Sequence, residues 1–261
     1  MTKALSIFGV MILVPACLYA VDGQVLINQS TLNAAGGTYT ITAAGSYKLS
    51  GNLIAKNQDT DVIVIATDHV TIDLNGFAIL GIADCSGGFP CNGRGLGSGI
   101  NIRSGPFFNI TIRNGTIQGM GGVGISLNSD SVLVEYMHVR SNAFGGIFIG
   151  RASPQSSVIV QHNNVQLNGN DGIQVDSGNV SDNVVSQNGT NGIEVSNAAG
   201  LPTGTVARNV VTSNLGFGLN LFGSVNYIGN SLSGNLAGNV SGGFNQGQNL
   251  CGGAACPGAV F

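Results

Sequence analysis

The chain has 261 residues, 42 of them glycine, with 8% charged and a formal net charge of −3. Binding to a phosphate backbone needs a surplus of Lys and Arg, so this balance argues against nucleic acid or an anionic membrane surface as partner. Polarity comes instead from Asn, Ser, Thr and Gly, and the apolar residues fall in short phrases, none long enough to span a bilayer.

Met1 to Ala20 reads as a secretion signal, with Lys3 as the positive start and Ala4 to Val14 as the apolar run. Cleavage after Ala20 is expected; the competing reading is lipid attachment at Cys17, since Val14-Pro15-Ala16-Cys17 is a loose lipobox. Export sends the chain outside the cell or to the envelope. Four cysteines remain in two tight pairs, Cys85 with Cys91 and Cys251 with Cys256, each enclosing Gly-rich sequence that can bend back on itself. Disulfides are expected rather than a metal site, because the pairs lie far apart with no His beside them.

From 21 to 60, Val25-Leu26-Ile27, Thr38 to Ile41 and Ser46 to Leu49 read as strands separated by turns. They make an N-terminal cap and first coil, which a solenoid needs to cover its open edge. Asp61 to Gly81 gives a full coil of three strands. Ile82 to Gly97 is the longest insertion and carries the first cysteine pair and Arg94. Asp68-His69 falls in a tight turn, where Asp bonds local backbone.

From there one phrase recurs. Glycines at 99, 124, 146, 172, 192 and 218 each precede an apolar-x-apolar strand, at spacings of 25, 22, 26, 20 and 26. Asparagines at 163, 183, 209 and 230 are each followed five positions later by another, at 168, 188, 214 and 235. A period in the low twenties with short strands and no helix is the signature of a β-solenoid, here over 61–238 with a tail or cap at 239–261. Aligning Ile112, Val134, Val160, Val180 and Val206 puts Gly115, Met137, Asn163, Asn183 and Asn209 in one column. That column is expected to take the left-handed turn that Gly and Asn tolerate, and its amides to bond along the axis.

The phrases Asn-Gly-Thr-Ile (114 to 117), Asn-Asn-Val (163 to 165) and Gly-Ile-x-Val resemble the parallel β-helix repeat of the pectin-lyase-like superfamily. The resemblance implies an all-β, right-handed, single-stranded parallel β-helix, here of about eight coils. It also implies action on extracellular polysaccharide, by a lyase or glycoside hydrolase in the enzymatic members. The superfamily's signatures Asn-Thr-Asp, Gly-His-Gly and Asp-Pro-His-Asp do not occur. A non-catalytic structural or adhesive solenoid is therefore the alternative. No cofactor is expected, since calcium needs more oxygen ligands than the dispersed acids supply.

Alternation nominates the outward residues. Asn114, Tyr136, His162, Asp182 and Arg208 share one column, so His162, Asp182 and Arg208 form a candidate acid–base or acidic-sugar group. A solvated charge ladder is the plainer explanation. On the first strand, Glu194 with diagonal Asp176 is a candidate carboxyl pair, with Gln174 stacked near Glu194. Phe148, Phe222 and Tyr136 are candidate sugar platforms, with the loop at 151–156 the alternative cover for the two Phe rings. Arg113 beside Glu135 reads as a surface ion pair.

Overall fold

The computed structural model describes residues 23–150, 157–196 and 204–257. The expected signal at 1–20, with Cys17, lies outside them, as does the loop at 151–156. Three parallel sheets run along the molecule. The first stacks Tyr39–Ile41, Ile63–Ile65, Ile100–Asn101, Ile125–Asn128, Ile147–Gly150, Ile173–Val175 and Ile193–Val195. The opening of Phe217–Ile228 and then Gly238–Asn245 complete nine rungs among the described residues. Every coil therefore adds one rung of strand spacing, ~4.8 Å.

Inward side chains stack as the alternation predicts. Ile72, Ile112, Val134, Val160, Val180, Val206 and Tyr227 form one column of the second sheet. Ile79, Ile117, Val139, Val165, Val185, Val211 and Leu232 form the column of the third. Nearly all are fully buried, and each contributes roughly 1.5–3 kcal/mol of apolar burial.

The two asparagine series become two hydrogen-bonded ladders inside the corners. In the first, Asn183 Nδ2 donates to Asn209 Oδ1 at 3.0 Å and to Val160 O at 2.9 Å. Its Oδ1 accepts from Asn163 Nδ2 at 3.0 Å and from Asn163 N at 2.9 Å. Every polar atom of the side chain is used. The pattern runs from Asn163 to Asn249, and the second ladder runs from Asn142 to Asn235.

The repeat glycines line up against the second ladder. A Cβ at Gly172 would sit 2.6 Å from both Asn188 Nδ2 and Val185 Cγ1, and 2.8 Å from Gly192 O. Gly124, Gly146 and Gly192 meet the same three kinds of atom. Steric closeness, not a positive φ, explains this glycine.

The left-handed residue differs from expectation. It is the one before each ladder position: Asn114 (φ 64°), Tyr136 (φ 53°), His162 (φ 55°), Asp182 (φ 58°) and Arg208 (φ 53°). The ladder asparagines must aim inward, so the sharp bend is made one residue earlier, and the preceding side chain is thrown outward.

The ends are finished differently. A short helix, α1 (Gln29–Ala34), which the strand-only reading did not anticipate, closes the N-terminal end with Leu32 buried. Asn28 caps it, accepting from Thr31 N while Thr31 Oγ1 accepts from Asn28 N. Strands continue past 239, through Gly238–Asn245 and the antiparallel pair Leu250–Cys251 and Ala254–Ala255. Disulfides join Cys85 to Cys91 and Cys251 to Cys256. The 82–97 insertion packs Cys85, Cys91 and Phe89 onto Ala143, straddling the corner between third and first sheets.

Candidate functional site

At the corner between second and third sheets the left-handed residues form a ridge. Tyr136 stacks on His162 with ring centroids 5.1 Å apart and planes 17° apart. One coil on, Arg208 grips Asp182 with two bonds of 2.8 Å, Nε to Oδ1 and Nη2 to Oδ2. These Arg208 hydrogen bonds hold the Asp182 carboxyl below its ordinary range, partial burial opposes them, and the charges of Arg208 and His162 add to the lowering. The predicted column is therefore real, but its chemistry is constrained. Both Asp182 oxygens accept from Arg208, and among the described residues no hydrogen bond joins Asp182 to the His162 imidazole, the contact by which a carboxylate orients a general base.

Beside the ridge lies a shallow depression of about 340 Å³, lined by Tyr136, His138, His162, Asn164, Asp182 and Val184 among others. His138 and Asn164 face each other in register on the third sheet. Neither was singled out from the sequence, although third-strand alternation places both outward.

On the first sheet, Gln174 stacks on Glu194 and then Asn220 as expected. Glu194 Oε1 accepts from Gln174 Nε2 at 3.2 Å, and Oε2 accepts from Asn191 Nδ2 at 3.0 Å and Asn220 Nδ2 at 2.9 Å. Burial pushes the Glu194 carboxyl up, the Asn220 and Asn191 amides oppose it, and the charge of Asp171 adds to the rise. Asp176 accepts from Ser196 Oγ at 2.7 Å. The carboxylate that acts on Glu194 is Asp171, which follows a turn and was not nominated.

The aromatic candidates separate. Phe148 is half-buried and shares a recess of about 90 Å³ with Phe144, Asp171 and Gln174. Arg94 of the insertion lies over the Phe144 ring at 4.2 Å. Phe222 is exposed and lies two residues beyond Asn220, which continues the Phe148 column through Gln174 and Glu194, so the two rings do not share a column.

Two smaller readings change. Arg113 pairs with Asp73 one coil below, at 3.4 Å, rather than with Glu135, whose Oε2 accepts from Gln161 Nε2 at 3.0 Å. Asp68 accepts from Phe108 N at 2.7 Å in the next coil, and His69 Nδ1 lies 3.1 Å from Asn109 Nδ2. Among the described residues, no three His, Cys, Asp or Glu side chains converge as a metal site, and no helix is long and apolar enough to cross a membrane.

A family model described as "Right handed beta helix region" matches residues 39–201 and 152–237. The chain belongs to this right-handed β-helix family. No curated protein matches it in sequence. One solved structure similar to this β-helix is the A-module of the Azotobacter vinelandii mannuronan C-5 epimerase AlgE4. It is 16% identical, covering 80% of this chain and 72% of that one, with a TM-score of 0.34. A likeness this distant carries no argument, and the reading of the β-helix's function rests on its own side chains.

Proposed function

We propose that the protein is an exported β-helix that recognises an extracellular polysaccharide along its side, at the ridge of Tyr136 and His162. The observation that carries this reading is the exposed stacked pair bordering a depression whose lining also includes the polar Asn164 and Asp182 beside His138 and Val184. Binding sites for sugars combine an apolar ring face with a few convergent polar groups, and this surface offers both. Export is supported by the leader-like Met1 to Ala20 and by two disulfides, which suit an oxidising compartment. Recognition without turnover fits best. Glu194 holds both oxygens in amide hydrogen bonds, and Asp182 is committed to Arg208.

Affinity electrophoresis through gels containing polygalacturonate, alginate or plant glucans tests it. Wild type is expected to be retarded by at least one polymer without releasing reducing ends or unsaturated products. Tyr136→Asn keeps the left-handed backbone comfortable, as Asn114 shows in the same column, and is expected to bind severalfold more weakly with an unchanged or higher Tm. A wild-type chain that passes every gel unretarded makes the protein a structural solenoid instead.

A further inference from the structure

The insertion at 82–97 has no part in the ridge, yet it reaches across a corner to a second concavity, on the first sheet. There Arg94 lies over the Phe144 ring at 4.2 Å. Phe144, Phe148, Val123, Asn170, Asp171 and Gln174 are among the walls of a recess of about 90 Å³. Two rings and a valine make part of that wall apolar, and two amides and a carboxylate make the rest polar.

The walls are held before any ligand arrives. Asn170 N donates to Phe144 O at 3.0 Å and Gly146 N to Asp171 O at 3.1 Å, so the two coils that line the recess are tied together. The Phe148 ring leans on Gly150, where a Cβ would sit 3.3 Å from Phe148 Cε1. Asp171 Oδ1 accepts from Asn191 N at 2.8 Å and from Thr190 Oγ1. Gln174 Nε2 donates to Glu194 Oε1 at 3.2 Å. Among the described residues nothing engages Asp171 Oδ2 or the side-chain amide of the exposed Asn170.

Size and charge narrow the ligand. An apolar cavity of about 150 Å³ takes a benzene ring, so this smaller recess takes about four heavy atoms and not a sugar ring. Asp171, with Glu194 beside Gln174, opposes a carboxylate or sulfate. Arg94 on the Phe144 ring opposes an ammonium. What remains is a small neutral group with a methyl for the rings, an N–H for the carboxylate and a carbonyl for the amide.

We propose that the recess is a subsite for the acetamido group of an N-acetylated amino sugar. The methyl packs against Phe144 and Phe148, the N–H donates to Asp171 Oδ2, and the carbonyl accepts from Asn170 Nδ2. The sugar ring itself stays outside. A hydroxyl in place of the acetamido group meets Asp171 but leaves the rings and Asn170 without a contact. The subsite lies on a different side of the β-helix from the ridge and does not rest on it.

Titration calorimetry on the full chain tests this with three trisaccharides of one backbone: fully N-acetylated chitotriose, its de-N-acetylated form and cellotriose. Wild type is expected to bind the acetylated trimer about 10-fold more tightly than either of the others. Asp171→Asn keeps an oxygen for Asn191 N but turns the second acceptor into a donor, and is expected to lose about 10-fold for the acetylated trimer. Gly145→Ala adds a methyl to the recess wall in ordinary contact, 3.4 Å from Asp171 O and 3.8 Å from Val123 Cγ1. It is expected to keep the wild-type Tm and bind the same trimer severalfold more weakly. Phe148→Ser copies Ser126, its neighbour in the column, and is expected to lose a similar factor. Saturation-transfer NMR on wild type is expected to be strongest at the acetyl methyl. The subsite is refuted if wild type binds none of the trimers, or holds cellotriose or the ammonium-bearing trimer as tightly as the acetylated one. It is refuted equally if all three variants bind the acetylated trimer like wild type. Polygalacturonate, alginate and plant glucans carry no acetamido group, so a failure in those gels and a failure here are separate results.

Discussion

Removing one rung of an asparagine ladder should damage the protein far more than removing an asparagine of the same size from its surface. Asn183→Ala deletes four hydrogen bonds, two donated and two accepted. Asn209 Oδ1 keeps a partner, because Asn183 N still donates to it at 3.0 Å. Left stranded in the interior are the Asn163 backbone N–H and one Asn163 amide hydrogen, while Val160 O, in register with Val180, keeps its place in the strand ladder. At roughly 1–1.5 kcal/mol for each buried orphan, the expected loss is about 2–3 kcal/mol. Asn179→Ala on the exposed face of the second sheet is the control, and should stay within about 0.5 kcal/mol of wild type. Asn183→Asp is the sharper probe. One oxygen can still accept from Asn163, but the other then faces two acceptors, Val160 O and Asn209 Oδ1. The new carboxyl is driven to keep its proton in the native state, so its folded pKa lies above the unfolded one. Between the two the native chain binds more protons, and stability falls as pH rises. Urea unfolding followed by circular dichroism, at pH values from the carboxylate range to neutrality, reads both effects. A loss below about 1 kcal/mol for Asn183→Ala, or an Asn183→Asp variant whose deficit does not grow with pH, would refute the ladder as an interior support.

Two further outcomes are expected. Gly172→Ala places a methyl 2.6 Å from Val185 Cγ1 and Asn188 Nδ2, and should lower stability by about 1–3 kcal/mol in denaturant unfolding, whereas Gly51→Ala, with open space around it, should not. Glu194 titrates above its ordinary range because burial disfavours its charge, so the native state holds that proton longer than the unfolded chain does. It therefore costs stability as pH rises past the ordinary glutamate range, and Glu194→Gln should flatten that fall in a thermal-melt series from acid to neutral pH.

The winding itself was legible in the chain. Stacking like on like requires the same apolar and amide residues at the same step of each coil, so the glycine and asparagine spacings carry the fold openly. The corner was read one residue off. Gly and Asn are associated with left-handed backbone, yet Asn163, Asn183 and Asn209 bend normally while His162, Asp182 and Arg208 take positive φ. Local preference yielded to the interior ladder, which needs the amide inward. The helix α1 left little trace because six residues hold no apolar period, only a capping pair at Asn28 and Thr31. Of the candidate site, alternation located the Tyr136 to Arg208 column but not its pairings.

Periodicity alone determined that the chain is a parallel solenoid and which side chains face out, because both follow from the repeat length and the two-residue alternation of a strand. Tertiary structure alone decided who touches whom. Whether Asp182 serves His162 or Arg208, and whether Arg113 meets Glu135 or Asp73, depends on side-chain reach across neighbouring coils, a distance of a few ångströms that no spacing in the sequence records.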